Sequence, residues 1–189
     1  MARRPNPELR SLRKKELIDS IVNIINENSI SNTTTRKIAS EADLTIASLH
    51  YYFGSKDGAL VETAKFILEY WIKKILERPG ELKDKIIKLF EPSGNMAAFS
   101  QIITYPYRSK ITIREIKDID DSFTMIIKDV MRSKGYDVDS SFTAADILKT
   151  FLIGLGFKGF VYPELIEEEV LKVVQFLETN KISWSYVKY

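Results

Sequence analysis

Between Leu44 and Lys56 the chain carries no Asp or Glu, yet it gathers hydroxyl, aromatic and cationic side chains. That combination suits holding an anionic polymer rather than breaking bonds. Hydroxyl and phenol groups donate to phosphate oxygens, cations neutralise them, and a carboxylate on the same face would repel them. Thr34, Arg36, Thr45, Tyr51, Tyr52 and Lys56 are the groups of this kind. They lie in or beside residues 34–53, TTRKIASEADLTIASLHYYF, where apolar Ile38, Ala39, Ala42, Leu44 and Leu49 can lock two short helices around a tight turn. Such a unit reads duplex DNA when its second helix enters the major groove.

Other chemistry has weaker support. Cysteine is absent and His50 is the single histidine, so neither a metal cluster nor a nucleophile–base pair is expected, and the chain is not expected to be an enzyme or to carry a cofactor. Residues 154–159, GLGFKG, spell Gly-x-Gly-x-x-Gly, but Pro163 follows closely and the glycines sit in a helical stripe with Leu148, Phe151, Leu152 and Leu155. Close helix–helix approach explains them better than a dinucleotide. Asp137 and Asp139 begin like a calcium loop, but Phe142 stands where Gly is required and Leu148 where Glu is required, which leaves a helix cap. Asp118, Asp120, Asp121 and Glu167 to Glu169 are expected on solvated helix faces and at helix starts.

The elements that must position the reader follow from periodicity. With 44% hydrophobic and 29% charged residues but only 8 Gly and 6 Pro among 189, the composition favours a helix-rich globular fold. Leu17, Ile18, Ile21, Val22 and Ile25 predict a first helix over residues 8–28. Thr34 or Thr35 caps a second helix, Asp43 occupies the turn, Thr45 caps a third, and Gly54 ends it. Ser55-Lys56-Asp57 opens a long fourth helix with a stripe of Leu60, Ala64, Ile67, Trp71 and Ile75, stopped at Arg78-Pro79-Gly80. Further helices are expected over residues 81–90, 95–105, 112–134 and 142–161, and a last one from Pro163. The reading is all-α, about nine helices, with a helix-turn-helix domain over residues 1–55 and a helical bundle over residues 56–189.

Charge is uneven along the chain. Of a net +2, residues 1–15 hold +5 through Arg3, Arg4, Arg10, Arg13, Lys14 and Lys15 against Glu8, and the remainder holds −3. A basic arm on an acidic body suits a nucleic acid near one end, and also suits a solvated tail. No secretory signal is recognisable, and the apolar run at residues 151–157 is too short to span a bilayer, so a cytoplasmic protein without membrane contact is expected.

Residues 14–62 resemble the tetracycline-repressor (TetR) family, whose pattern is Thr-x-x-x-Ile-Ala-x-x-Ala-Gly-Val-Ser followed by Leu-Tyr-x-Tyr-Phe-x-Ser-Lys. Thr34, Ile38, Ala39, Ala42, Leu49, Tyr52, Phe53, Ser55 and Lys56 match without a gap. Asp43 stands where the family prefers Gly, which asks an Asp to adopt the left-handed region. His50 replaces the commoner Tyr, and Ser29 stands where Gly closes the first helix, leaving Asn28 to take over as the cap. The resemblance implies that Thr45, Ile46, Ala47, Ser48 and His50 face base edges, with Ile46 or Ala47 against a thymine methyl. It implies that Tyr51, Tyr52 and Lys56, with Thr34, Thr35 and Arg36, hold the backbone. It further implies a homodimer on a palindromic duplex, released when a small, mostly apolar effector binds the bundle. Trp71, Phe99, Phe123 and Phe151 are the aromatics expected to line that cavity, and Leu152, Gly156, Gly159, Val170 and Val174 the residues expected between copies. The rival readings are an architectural or division-type DNA-binding protein without effector, and a helical enzyme or carrier.

Overall fold

The computed structural model describes residues 7–91 and 95–180, and every regular element among them is helical. Arg3 and Arg4 of the basic arm lie outside the described residues. Helix α1 (Pro7–Asn28) buries Leu17, Ile18, Ile21, Val22, Ile24 and Ile25. A 3-10 turn (Ile30–Asn32) leads to α2 (Thr35–Glu41), and α3 (Ile46–Phe53) follows. The next helix, α4, is one rod in three stretches: α-helical Lys56–Ile67, a π turn at Leu68–Ile72 and α-helical Lys73–Glu77. Then come α5 (Leu82–Phe90), α6 (Met96–Ile103), α7 (Lys110–Ser133), α8 (Val138–Val161) and, after a 3-10 turn at Pro163–Leu165, α9 (Ile166–Asn180).

The first three helices form the head: α1 packs on α2 and α4, and α3 on α2 and α4. The bundle is built around α8, which packs on α6, α7 and α9, while α4 joins the halves by also contacting α6 and α7. One buried bond crosses the junction, from the Ile30 N–H to Gln101 Oε1 on α6 at 3.0 Å.

Several local expectations are met by specific bonds. Thr34 accepts from the Lys37 N–H, Thr45 from Ser48, Ser55 from Gly58 and Asp137 from Ser140, each at a helix start. Asp137 starts α8 at Val138, four residues before the start predicted from hydrophobicity, because the cap fixes the first turn whatever its polarity. Asp43 adopts φ +50° as the tight turn demands, and Gly54 ends α3 at φ +74°.

Two expectations are corrected. Asn28 stays helical and Ser29 itself takes φ +70°, ψ 161°, so the closing position keeps its Gly-like backbone with a side chain on it. In α4, the π turn inserts an extra residue and rotates the helical stretch beyond it. The inward stripe passes from Ile67 to Leu68 and Ile72, each at most 2% exposed, and Trp71 is left half-buried.

Candidate nucleic-acid interface

The head presents α3 as a short, protruding ridge. Leu49 is wholly buried and anchors it, with half-buried Phe53 one turn on, while Ile46, Ala47, His50 and Tyr51 are exposed. Positions 46, 47, 50 and 51 share one helix face by their spacing. Thr45 is exposed at the helix start, where its hydroxyl caps the Ser48 N–H at 3.1 Å and pairs with the Ser48 hydroxyl at 2.9 Å. Ser48 is half-buried where Thr45 is exposed, so Thr45 is the more accessible of the two although their hydroxyls partner each other.

His50 is exposed, and its Nδ1 lies 3.0 Å from the Gly54 carbonyl. A carbonyl only accepts, so in this bond Nδ1 is the donor. Tyr51 is 61% exposed, with the Arg10 guanidinium 5.7 Å from its ring centroid and the Tyr52 ring edge-on at 5.1 Å. Thr34 and Arg36 are exposed at the start of α2, and Thr35, Tyr52 and Lys56 are half-buried.

Three participants were not anticipated from the sequence. Arg10 brings α1 onto Tyr51. Gly58 lets the first turn of α4 press on the end of α3, since a Cβ there would lie 2.3 Å from the Phe53 carbonyl oxygen. Tyr105, on the loop between α6 and α7, lies under the Lys56 ammonium at 5.1 Å. Gly58 stands in the Ser-Lys-x-Gly run after Phe53 and was available as a signal; the two long-range contacts have no local signature.

Arg10 and Lys14 stand close to this surface, Lys14 with its ammonium 5.7 Å from the Phe53 ring centroid. Lys14 also pairs with Glu62 on α4, which in turn pairs with Lys65. Burial pushes the Glu62 carboxyl up, but the bonds and charges of Lys14 and then Lys65 outweigh it and hold the group below its ordinary value.

The four aromatics expected in the bundle lie in or against the core. Phe99 and Phe123 are wholly buried and meet edge to face at 5.2 Å, so they fill core rather than line an opening. Trp71 meets Phe66 edge-on at 5.1 Å, and Phe151 is half-buried against the core. An open groove of about 800 Å³ runs between α1 and α4, past Leu12, Ile18, Phe66 and Tyr70, and none of the four aromatics lines it.

The residues expected between copies pack within this chain. Leu152 and Val170 are 0% exposed and Val174 8%, all within this one chain. Gly156 backs onto α6, where a Cβ would lie 2.1 Å from Ser100 Oγ, and Gly159 faces Ile166 at 2.6 Å. The close approach that these glycines permit is therefore internal. Hydrophobicity along α8 indicated where the helix ends but neither its first turn nor its outward face, which holds Phe157 at 44% and Val161 at 60% exposure.

Among the described residues, no three His, Asp or Glu side chains gather as a metal site, and no helix is long and apolar enough to cross a membrane.

Comparison with known proteins agrees with this geometry. Residues 17–63 match the family of bacterial regulatory proteins described as the tetR family. The HTH-type transcriptional regulator BetI of Burkholderia ambifaria is 31% identical over 81 residues, which is 42% of this chain and 42% of that protein. The chain thus spans well under half the length of the curated relatives it matches. A putative transcriptional regulator from Rhodococcus sp. RHA1 superposes with a TM-score of 0.71 at 15% identity, covering 88% of this chain and 95% of the other. FadR from Bacillus subtilis, in complex with stearoyl-CoA, superposes with a TM-score of 0.62 at 18% identity over 86% and 96%. The last two show the fold, all-α with the reading head at its N-terminus.

Proposed function

We propose that the chain is a member of the TetR family of bacterial regulatory proteins, which residues 17–63 match, and that it is a cytoplasmic, non-enzymatic repressor that binds a palindromic operator as a homodimer and releases it on binding a small effector. The observation that carries the reading is the exposed, carboxylate-free face of α3, with Thr45, Ile46, Ala47, His50 and Tyr51 outward and Leu49 anchored beneath. Thr45, Ile46, Ala47 and His50 read base edges. With Nδ1 donating to Gly54, a neutral His50 ring would offer Nε2 to an exocyclic amine of adenine or cytosine, and the Ile46 methyls suit thymine. Thr34, Thr35, Arg36, Tyr51, Tyr52 and Lys56 hold the backbone. In this reading the DNA-binding domain covers residues 1–55 and the effector and dimerisation domain residues 56–189.

The interface between copies moves to the outward face of α8 and α9. Ile153, Gly154, Phe157 and Val161 share one side of α8, Gly154 has open space before it, and Leu171 and Phe176 are exposed on α9. A four-helix contact there would cover apolar surface that a lone chain leaves wet.

For the effector, the supporting feature is polar. Among the described residues, Ser100 Oγ and Gln101 Nε2 are buried without a hydrogen-bond partner, on successive residues of α6 next to Phe99. A mostly apolar molecule with a polar end would satisfy them. Its binding must favour the released state of the head over the bound one, since equal affinity shifts nothing. The filled core around Phe99 and Phe123 favours a second reading, in which the protein binds DNA without an effector.

Selection of bound fragments from a random duplex pool, with and without candidate ligands, tests both. A dyad-symmetric consensus with half-sites about 34 Å apart supports the dimeric reader. A consensus without a dyad, or equal affinity for all sequences, overturns it, and binding that no ligand alters leaves the second reading.

A further inference from the structure

We propose that the loop between α6 and α7 is a second phosphate-binding element, through Arg108 and Lys110, so that the bundle itself grips the duplex beside the reading head. The inference rests on the DNA-binding function proposed for the head and extends it to residues outside the helix-turn-helix.

The loop is docked at the right place. Tyr105 holds the Lys56 ammonium over its ring at 5.1 Å, and Lys56 opens α4 at the edge of the α3 ridge. Tyr107 lies close enough to Asp57 that the carboxylate, after burial, raises its phenol above the ordinary value. The same end of the bundle therefore meets the start of α4 through the Tyr105 ring.

The loop is also held in shape. Tyr105 and Tyr107 meet edge to face at 5.1 Å, the Tyr107 hydroxyl donates to the Ile102 carbonyl at 3.0 Å, and the Tyr107 N–H donates to the Tyr105 carbonyl at 2.8 Å. Pro106 between them fixes one backbone angle, and Ser109 caps the Thr112 N–H at 3.4 Å to start α7. Arg108 and Lys110 thus leave a fixed platform rather than a free strand, which limits the entropy surrendered on binding.

Their charge has no use within the fold. Residues 104–114, TYPYRSKITIR, contain no Asp or Glu, and the first turn of α7 holds no acidic residue. Arg108 and Lys110 are both exposed, and neither enters an ion pair among the described residues, although Lys65, Lys73 and Lys149 all do. Lys110 moreover stands at the positive end of a helix, where a cation is disfavoured unless an anion offsets it.

Reach agrees. Arg108 follows Tyr105 by three residues, a backbone span of at most about 11 Å. A duplex carries a charge for roughly every 1.7 Å of axis, so a backbone that meets Lys56 offers further phosphates within that span. A DNA backbone is thus the occupant whose charge and continuity with the α3 and Lys56 surface fit this loop.

The test is fluorescence anisotropy of the intact protein with a labelled duplex recovered by selection from a random pool, titrated across salt concentrations. Arg108→Ala/Lys110→Ala should flatten the slope of log affinity against log salt by about 0.9 for each phosphate that is no longer neutralised, and weaken specific and unrelated duplexes alike. Arg108→Lys/Lys110→Arg should restore the slope. Arg132→Ala/Lys172→Ala, which removes equal charge from exposed sites away from the loop, should leave it unchanged. Unchanged helicity of each variant excludes a folding defect. If the wild type binds and the loop variant keeps its slope, the inference is overturned while the DNA-binding function stands. If the wild type binds no duplex, both fall together.

Discussion

Gly156→Ala tests the corrected packing of the bundle most directly. The added methyl would sit 2.1 Å from Ser100 Oγ, 2.7 Å from Ser100 Cβ and 3.1 Å from the Met96 carbonyl oxygen. The hydroxyl can rotate away, but Ser100 Cβ and the Met96 carbonyl are fixed to α6. Carbon–carbon distances settle near 3.5–4.0 Å, so α6 and α8 must separate by about 1 Å. Overpacking of this kind costs about 1–3 kcal/mol, and the better helix propensity of Ala returns up to about 1 kcal/mol. The net is a loss of about 1–2 kcal/mol. At this chain length that lowers Tm by roughly 2–8 °C. Thermal unfolding followed by far-ultraviolet circular dichroism measures it. Ser100→Gly, mildly destabilising alone, should recover most of the loss in the double variant, giving a coupling energy of about 1 kcal/mol or more in the cycle. Strict additivity, or a thermally neutral Gly156→Ala, would refute the internal contact. So would a variant whose only change is a shift from dimer to monomer in sedimentation.

Three further outcomes are expected. Lys56→Ala should flatten the salt dependence of DNA affinity by about one unit for every sequence, whereas Ile46→Ala should change preference at one base pair and keep the slope; quantitative binding across a mutated operator series separates them. Ser29→Gly should relieve the backbone at φ +70° and stabilise the chain by about 1 kcal/mol, and a lower Tm would show that no strain resides there. Glu62→Gln should flatten the acid side of the stability profile. The folded-state pKa of Glu62 lies below its ordinary value of 4.5, so its contribution is complete above that value and fades as pH falls through the lower one. Urea midpoints measured from pH 6 to about pH 3 check this, and profiles of equal steepness would contradict it.

What the residues disclosed beforehand depended on whether a signal was local. Thr34, Thr45, Ser55 and Asp137 announce helix starts because a cap is decided within three residues. Asp43 and Gly54 mark turns for the same reason. The α3 ridge was readable because Leu49 alone among its neighbours had to be buried for the two short helices to lock. The bundle was less transparent. On α8 the apolar residues surround the helix, so periodicity could not say whether Gly156 or Gly154 faced a neighbour; the small side chain of Ser100, distant in sequence, settles it for Gly156. Trp71 sat correctly in an α-helical stripe that the π turn then broke. The Lys56–Tyr105 contact joins residues 49 positions apart, and no pattern along the chain encodes such a pair.

That π turn makes α4 a helix of two phases. Each residue of an α-helix advances about 100° around the axis, so one extra residue sets the angular position of everything below it independently of what lies above. The upper stretch packs on α1 and α3 of the head and also on α6 and α7, whereas the lower packs on α5 and α7 of the bundle. The wide turn works as a coupling collar within the rod, fixing the azimuth of the lower stretch, which packs on the bundle, against the upper one, which packs on head and bundle alike. Removing one residue from the collar would keep both ends apolar and helical, yet it would turn one through roughly a quarter of a circle against the other.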